Sequence, residues 1–319
     1  MISLLRVRQH GYARTHAIDF LKYRYVSAAL SVVLIASFIG GYLYKRYTTL
    51  DGHTFNYSVD FTGGIQTLMQ FNKPVNSEKL VHILDAAGWP GSVTRQFSPQ
   101  EHLVRVKKEA KDVSQEAESI RTALQKGLDE DYTVTIKQTD SVGVASGSTL
   151  RTNSLYAVIV SLLLMLTYIA FRFWSYSYAM GAIVSLFHDA LVILLAFLLF
   201  DKEVSINVIG AILAVLGYSI NDTIVIFSRI RENVNQMPTT SFYDIINISI
   251  TETLSRTILT TFATTLVVVA LLIFGGETLR DLSLALLVGI VFGIYSTIFI
   301  ATPVLYMLYK DNRTRVVHK

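Results

Sequence analysis

The chain of 319 residues has no cysteine, only five prolines and two tryptophans. Without cysteine there are no disulfides, no thiolate metal sites and no cysteine nucleophile, and the redox compartment stays open. Charge is scarce as well: 16% of the residues are Asp, Glu, Lys or Arg, against roughly a quarter in an ordinary soluble domain. The Walker A loop, GxSxG, HExxH and the dinucleotide-binding fingerprint are all missing, which argues against an ATPase or hydrolase of those kinds. No enzymatic activity, cofactor or metal site is expected.

Apolar sequence is what the chain has in quantity. Hydrophobic residues make up 51% and mean hydropathy is +0.43, too apolar for a soluble enzyme. Six runs, 25–44, 152–171, 173–200, 204–228, 257–276 and 282–309, are long enough to cross about 30 Å of hydrocarbon at about 1.5 Å per residue. Only Asp189 and Asp222 are acidic within them, and no Lys or Arg interrupts any run. The expected architecture is a polytopic α-helical membrane protein with six transmembrane helices. The first run is longer than a signal-peptide core and lacks a cleavage site, so it is expected to be an uncleaved anchor.

The formal charge of +4 and a pI near 9.1 come from the flanks of these runs. Residues 45–151 hold 13 basic and 13 acidic residues. This pattern suits a membrane surface and lipids better than a nucleic acid. With the N-terminal segment 1–24 placed inside, Arg6, Arg8, Arg14, Lys22, Arg24, Arg172, Arg229, Arg231, Arg256 and the tail residues Lys310, Arg313, Arg315 and Lys319 all fall inside. The two short outer loops carry only Lys202 and Arg280. The positive-inside rule therefore puts both termini, the loop 229–256 and the tail 310–319 in the cytoplasm, and the excursion 45–151 outside.

That excursion reads as a compact domain. Alternation at 65–71, helical periodicity at 76–87, strands at 92–97 and 102–107, an amphipathic helix at 113–128 and renewed alternation at 132–138 give the order β-α-β-β-α-β, which is the ferredoxin-like α+β arrangement. The Gly/Ser-rich stretch 141–148 reads as a hinge back to the membrane.

Ionisable groups inside the runs carry the functional signal, because charge there is costly. Asp222 belongs to Gly217-Tyr218-Ser219-Ile220-Asn221-Asp222, about 9 Å from the expected inner end of the fourth run. A capping or packing role and a titrating role are both open to it. Gly210, Ala214, Gly217 and Asn221 recur at helical spacing and make a smooth face for a second helix. Arg256 opens the fifth run, followed by Thr260 and Thr264 and, beside them, Thr257, Thr261 and Thr265. These hydroxyls either bond their own helix carbonyls or line a polar path with Arg256 beside Asp222.

His188 and Asp189 lie about 17 Å into the third run. As sequence neighbours they point about 100° apart and cannot share one ligand. A hydrogen-bonded structural histidine and a relay are equally open, while Asp189 at that depth leans towards function. Gly289 and Gly293 form GxxxG, a packing motif of low specificity, and Pro303 is expected to kink the last helix. Residues 241–254 read either as an interfacial helix or as a simple connection.

Val59-Asp60-Phe61-Thr62-Gly63-Gly64, with Gly217-Tyr218-Ser219-Ile220-Asn221-Asp222, His188-Asp189 and Arg256-Thr257, closely resembles the SecF family. Its members are the smaller membrane subunits of the SecDF protein-export complex, within the resistance-nodulation-division superfamily. The resemblance covers nearly the whole chain. It implies SecD, the SecYEG translocon and an exported polypeptide as partners, the bacterial inner membrane as location, and coupling of proton flow to late steps of export. Carried over residue by residue, it makes Asp222 the proton-responsive carboxylate and Arg256 its cationic partner, with Asn221, Asp189 and His188 as further members of the path. For Asp60, local turn hydrogen bonding and an interaction with SecD are both open. Ser58 departs from the glycine usual in the family. A small-molecule efflux protein of the same superfamily and a passive assembly factor are the competing functions.

Overall fold

The computed structural model describes residues 17–48, 54–106, 112–129 and 131–309. Arg6, Arg8, Arg14, Lys310, Arg313, Arg315, Lys319 and the end of the expected strand at Lys107 lie outside them. In chain order the elements are α1 (Arg24–Thr48), β1 (Asn56–Tyr57), the single turn α2 (Val59–Thr62), β2 (Gly64–Phe71), α3 (Ser77–Ala86), β3 (Val93–Ser98), β4 (Glu101–Val106), α4 (Val113–Gly127) and β5 (Val134–Val142). There follow α5 (Val144–Phe173), α6 (Tyr176–Leu199), β6 (Glu203–Val204), α7 (Ile206–Gln236), α8 (Phe242–Phe274), α9 (Gly276–Ser296), a π-helical turn (Thr297–Ala301) and α10 (Thr302–Leu308). Six helical segments among the described residues are long and apolar enough to cross a membrane. The chain divides into two units, one of Asn56–Tyr156 with Glu203–Ile206, the other holding the remaining helices.

In the helical unit α6 is the centre, packed by α1, α9 and α10. Of its most apolar window 67% is buried, against 11% for α1 and for α5, so those two turn most of their apolar surface outward, as lipid-facing helices do. The last span is where proline acts. Pro303 has no N–H for the carbonyl of Phe299, and its ring crowds that oxygen. The chain opens into the π turn there, a common form of such a defect, and Ser27 on α1 donates its hydroxyl to the freed Phe299 carbonyl at 3.1 Å.

The other unit is a four-stranded antiparallel sheet in the order β3-β4-β2-β5. Two helices, α3 and α4, intervene after its first and third strands. Alternate residues of β2 and β4 (Ile65, Met69, Phe71, Val104, Val106) meet Leu80 and Leu84 of α3 and Ile120 and Leu124 of α4 in one core. Both helices start on caps the sequence supplies: Asn76 accepts from the Glu78 amide and Asp112 from those of Ser114 and Gln115.

Three sequence boundaries are corrected. The stretch 141–148 is no hinge: β5 runs to Val142 and α5 starts at Val144, because glycine and serine are tolerated in a long helix whose later turns are strongly apolar. The fourth apolar run does not begin as a helix at 204, since Glu203–Val204 is a strand paired in parallel with Asn56–Tyr57. Residues 229–256 are not a loop. α7 continues to Gln236, and α8 starts at Phe242 on the Ser241 cap and runs unbroken to Phe274. Phe242, Ile245, Ile246 and Ile248 are buried, so this segment is the packed first part of the long helix and not a separate interfacial one.

His102 on β4 is fully buried, edge-on to Phe71 with ring centroids 5.5 Å apart. Its Nδ1 is 3.3 Å from the Ser77 hydroxyl and its Nε2 has no protein partner. Burial pushes its pKa below the ordinary 6.5. The folded unit thus holds the neutral ring, and its contribution to stability is present above pH 6.5 and fades as pH falls through that value towards the lower folded pKa. Amide exchange in β2 and β4 is expected to accelerate as pH drops from about 7 to about 5.5 beyond the intrinsic pH effect. His102→Gln is expected to flatten that dependence.

Candidate functional site

Asp222 lies in the middle of α7, buried at 7% exposure. Arg256, on α8, is the cation whose charge reaches it, but the two do not touch. Neither side chain makes an ion pair within 4.0 Å or a hydrogen bond among the described residues. Tyr218, one turn earlier on α7, forms the direct polar link to α8: its hydroxyl donates to Thr261 at 3.4 Å and accepts from Thr264 at 3.3 Å.

The threonines divide by depth. Thr260 and Thr264 bond the carbonyls of Arg256 and Thr260, at 2.9 and 3.0 Å, the ordinary helix-internal arrangement. Thr257 and Thr261 are buried, and the Thr257 hydroxyl has no partner. Gly210, Ala214, Gly217 and Asn221 all lie on an exposed side of α7, and a Cβ at Gly210 or Gly217 would meet nothing within 4 Å. Asn221 therefore points away from the side that buries Asp222.

Asp189 and His188 occupy a second buried polar centre. Ser219 of α7 donates to Asp189 Oδ2 at 2.7 Å, and Ser296 lies beside the same carboxylate. The other oxygen, Oδ1, is without a hydrogen bond and stands 3.7 Å from His188 Nδ1. Neither His188 nitrogen has a hydrogen-bond partner among the described residues. Its ring lies 6.0 Å from that of Tyr295. Thr223 and Thr297 share a hydrogen bond at 3.0 Å one turn further along α7. The roles of Ser219 and Thr297 escaped sequence reasoning, because lone hydroxyl residues in apolar helices carry no pattern of their own.

In the other unit, Asp60 sits in α2, capped by Ser58. The Ser58 hydroxyl accepts from the Asp60 amide and donates to Asp60 Oδ2 at 2.9 Å. Ser58 has φ −69°, which any residue adopts, so serine in place of glycine costs no strain. Gly63 and Gly64 are at φ 74° and 112°, where only glycine is comfortable. Asp60 Oδ2 also accepts the backbone N–H of Ile206 at 3.0 Å.

The family model of the C-terminal region of the protein export membrane proteins SecD and SecF matches residues 121–311, and the SecD/SecF GG motif matches residues 52–75. The chain is 35% identical over 300 residues to protein translocase subunit SecF of Thermodesulfovibrio yellowstonii, covering 92% of this chain and 96% of that one. To the SecF of Pseudomonas aeruginosa it is 35% identical over 292 residues, or 91% of each chain. The crystal structure of SecDF, a translocon-associated membrane protein from Thermus thermophilus, matches with a TM-score of 0.80 at 34% identity. That match takes in 92% of this chain and 39% of SecDF, so the chain spans about two fifths of the SecDF length.

Gly289 and Gly293 bring α9 against α7 and shape the Asp189 centre. A Cβ at Gly289 would stand 2.5 Å from Val215 Cγ2, and one at Gly293 would stand 3.3 Å from Ser219. Gly289→Ala is expected to destabilise the bundle by about 1–3 kcal/mol through overpacking. A lowered unfolding temperature in detergent, restored by adding Val215→Ala, is the expected result.

Proposed function

This chain belongs to the SecD/SecF family of protein export membrane proteins, and on that footing we propose that it is a SecF-type subunit that couples proton flow to late steps of polypeptide export. It is a multi-pass protein of the bacterial inner membrane and an accessory subunit of the Sec translocase. The observation that carries the coupling is Asp222, a carboxylate buried within a membrane-spanning helix and within the field of Arg256 but unpaired with it. Hydrocarbon disfavours the charged carboxylate while Arg256 favours it, so modest changes around the pair change which form persists.

Protonating Asp222 removes its attraction to Arg256. α7 and α8 then keep their hydroxyl link through Tyr218 and, further along, the contacts of Arg229 and Asn233 with Glu252, and are free to shift at the Asp222 level. Moving one charge across the membrane is worth about 2.3 kcal/mol per 100 mV, so a few protons supply enough energy for a helix rearrangement. Asp189 and His188 form a second station on the path, with Ser219 as a hydrogen-bond donor that holds Asp189.

The partner in the membrane is SecD. Asn221, Arg256 and Thr260 are exposed on this chain, and polar groups at that depth are costly against lipid. A further helix over the Gly210 to Asn221 face would cover them. That the chain accounts for about two fifths of a fused SecDF supports this reading. Both termini are cytoplasmic, as the placement of basic residues favours. The β-α-β-β-α-β unit is then a ferredoxin-like domain on the periplasmic side, where an exported polypeptide leaves the SecYEG channel. The work is transport, not catalysis.

Asp222→Asn is expected to lower the stimulation of preprotein export by membrane potential roughly tenfold, with SecD still co-purifying from the same membranes. Arg256→Gln is expected to act in the same direction. Normal stimulation in Asp222→Asn would make this carboxylate a packing residue and the chain a passive assembly factor.

A further inference from the structure

The second feature the sequence hides is a charge cluster around Glu203. This residue follows the apolar third span and, read in sequence, is one of two acids, with Asp201, in a short connection. In the structure its side chain is 8% exposed. Arg105, on β4, pairs with one of its carboxylate oxygens, and Arg95, on β3, stands 3.4 Å from the other. Arg105 also donates to the Tyr57 carbonyl at 2.7 Å and to Gln66 at 3.2 Å, so it is braced on β1 and β2 as well. Asp60 contributes a second negative charge near Arg105. Two carboxylates and two guanidiniums are thus balanced against each other at one end of the sheet.

This cluster fixes the strand Glu203–Val204. Its register against Asn56–Tyr57 is parallel, and the Val204 carbonyl accepts the Ser58 amide at 3.0 Å. Two residues further on, Asp60 accepts the Ile206 amide at 3.0 Å. Ile206 opens α7, whose first amides have no intrahelical partner. The aspartate therefore acts as a capping group supplied from elsewhere in the chain, with its negative charge at the positive end of the helix. The same turn holds the start of α5. A Cβ on Gly147 would come within 2.9 Å of the Gly63 amide and 3.1 Å of the Phe61 carbonyl carbon. The Asp60-to-Gly64 turn therefore braces the outer ends of the helices of two spans, and one of them carries Asp222.

We infer that Glu203 and Asp60 are positioning residues: with Arg105 and Arg95 they hold the strand Glu203–Val204 and the first residue of α7 against the β-sheet, so that the start of the helix that carries Asp222 is fixed. This rests on the proposed coupling role, because it says how that coupling leaves the membrane. The charges of the clamp keep β6 in place.

The absence of cysteine allows a direct test. In the full chain with SecD, Glu203→Ala is expected to reduce the membrane-potential stimulation of export roughly tenfold while SecD still co-purifies. Tyr57→Cys with Val204→Cys joins the two strands at paired positions, where neighbouring backbones are close enough for a disulfide. Oxidation of this pair in the Glu203→Ala chain is expected to restore the stimulation, and reduction to remove it again. Full stimulation in Glu203→Ala, or no recovery in the fully cross-linked chain, would overturn the inference. Amide exchange at residues 206–208 reads the clamp independently of which ion is coupled. It is expected to rise several-fold in Glu203→Ala, and unchanged exchange would overturn the clamp even if Asp222 proves to be the coupling residue.

Discussion

Inside a bilayer a polar group has no water to fall back on, and this constraint orders the helical unit. Several of its buried polar groups are met across helix contacts. Ser219 serves Asp189, Thr223 and Thr297 serve each other, and Ser27 takes the carbonyl that Pro303 leaves free. The glycines of the last span follow from the same requirement. Only with bare backbone at 289 and 293 does α9 come close enough to α7 for Ser219 to sit between α9 and Asp189. Side chains of ordinary size there would separate the helices and weaken the Ser219 hydrogen bond to Asp189, a loss that costs more in hydrocarbon than the lost packing alone.

One helix brings these requirements together. α7 carries Val215 and Ser219 on the side packed against α9, Asp222 within the field of α8, and the glycine-lined stripe with Asn221 on the side left open. These faces are separate because 3.6 residues make a turn, so residues 219, 221 and 222 point in three different directions. Its first residue, Ile206, belongs to the β-sheet unit through the strand before it. A displacement of this helix along or about its axis therefore changes the Asp222 surroundings and the Asp189 hydrogen bond at once.

What the sequence made legible follows the same physics. Long apolar runs expose the spans because the hydrocarbon thickness sets their length. The strands and helices of the β-sheet unit are readable because one face of each is apolar at its own period. Asp222, Arg256, Asp189 and His188 stood out because charge is rare in such runs. The clamp was invisible: Glu203 lies 98 residues from Arg105 and 108 from Arg95, and no local pattern links positions that distant. The 141–148 stretch was misread for the opposite reason. Glycine and serine there suggest a break, yet Gly147 is small because the Asp60-to-Gly64 turn packs directly on it. Sequence alone also placed Arg256 as the partner of Asp222 without being able to say that the pair stands open.

That openness has a counterpart on the same two helices. Two turns beyond Asp222 on α7, Arg229 meets Glu252 of α8 at 2.5 Å, and Asn233 bonds both Glu252 and Ser249 at 2.9 Å. Glu252 is one turn before Arg256, so a closed charge pair and an open one lie side by side along a single helix contact. The closed pair is part-buried, and Arg229 is paired with Glu232 as well. It therefore acts as a fixed pin between α7 and α8. The open pair is held by field and not by contact. The contact between α7 and α8 is thus pinned at one level and open at the next.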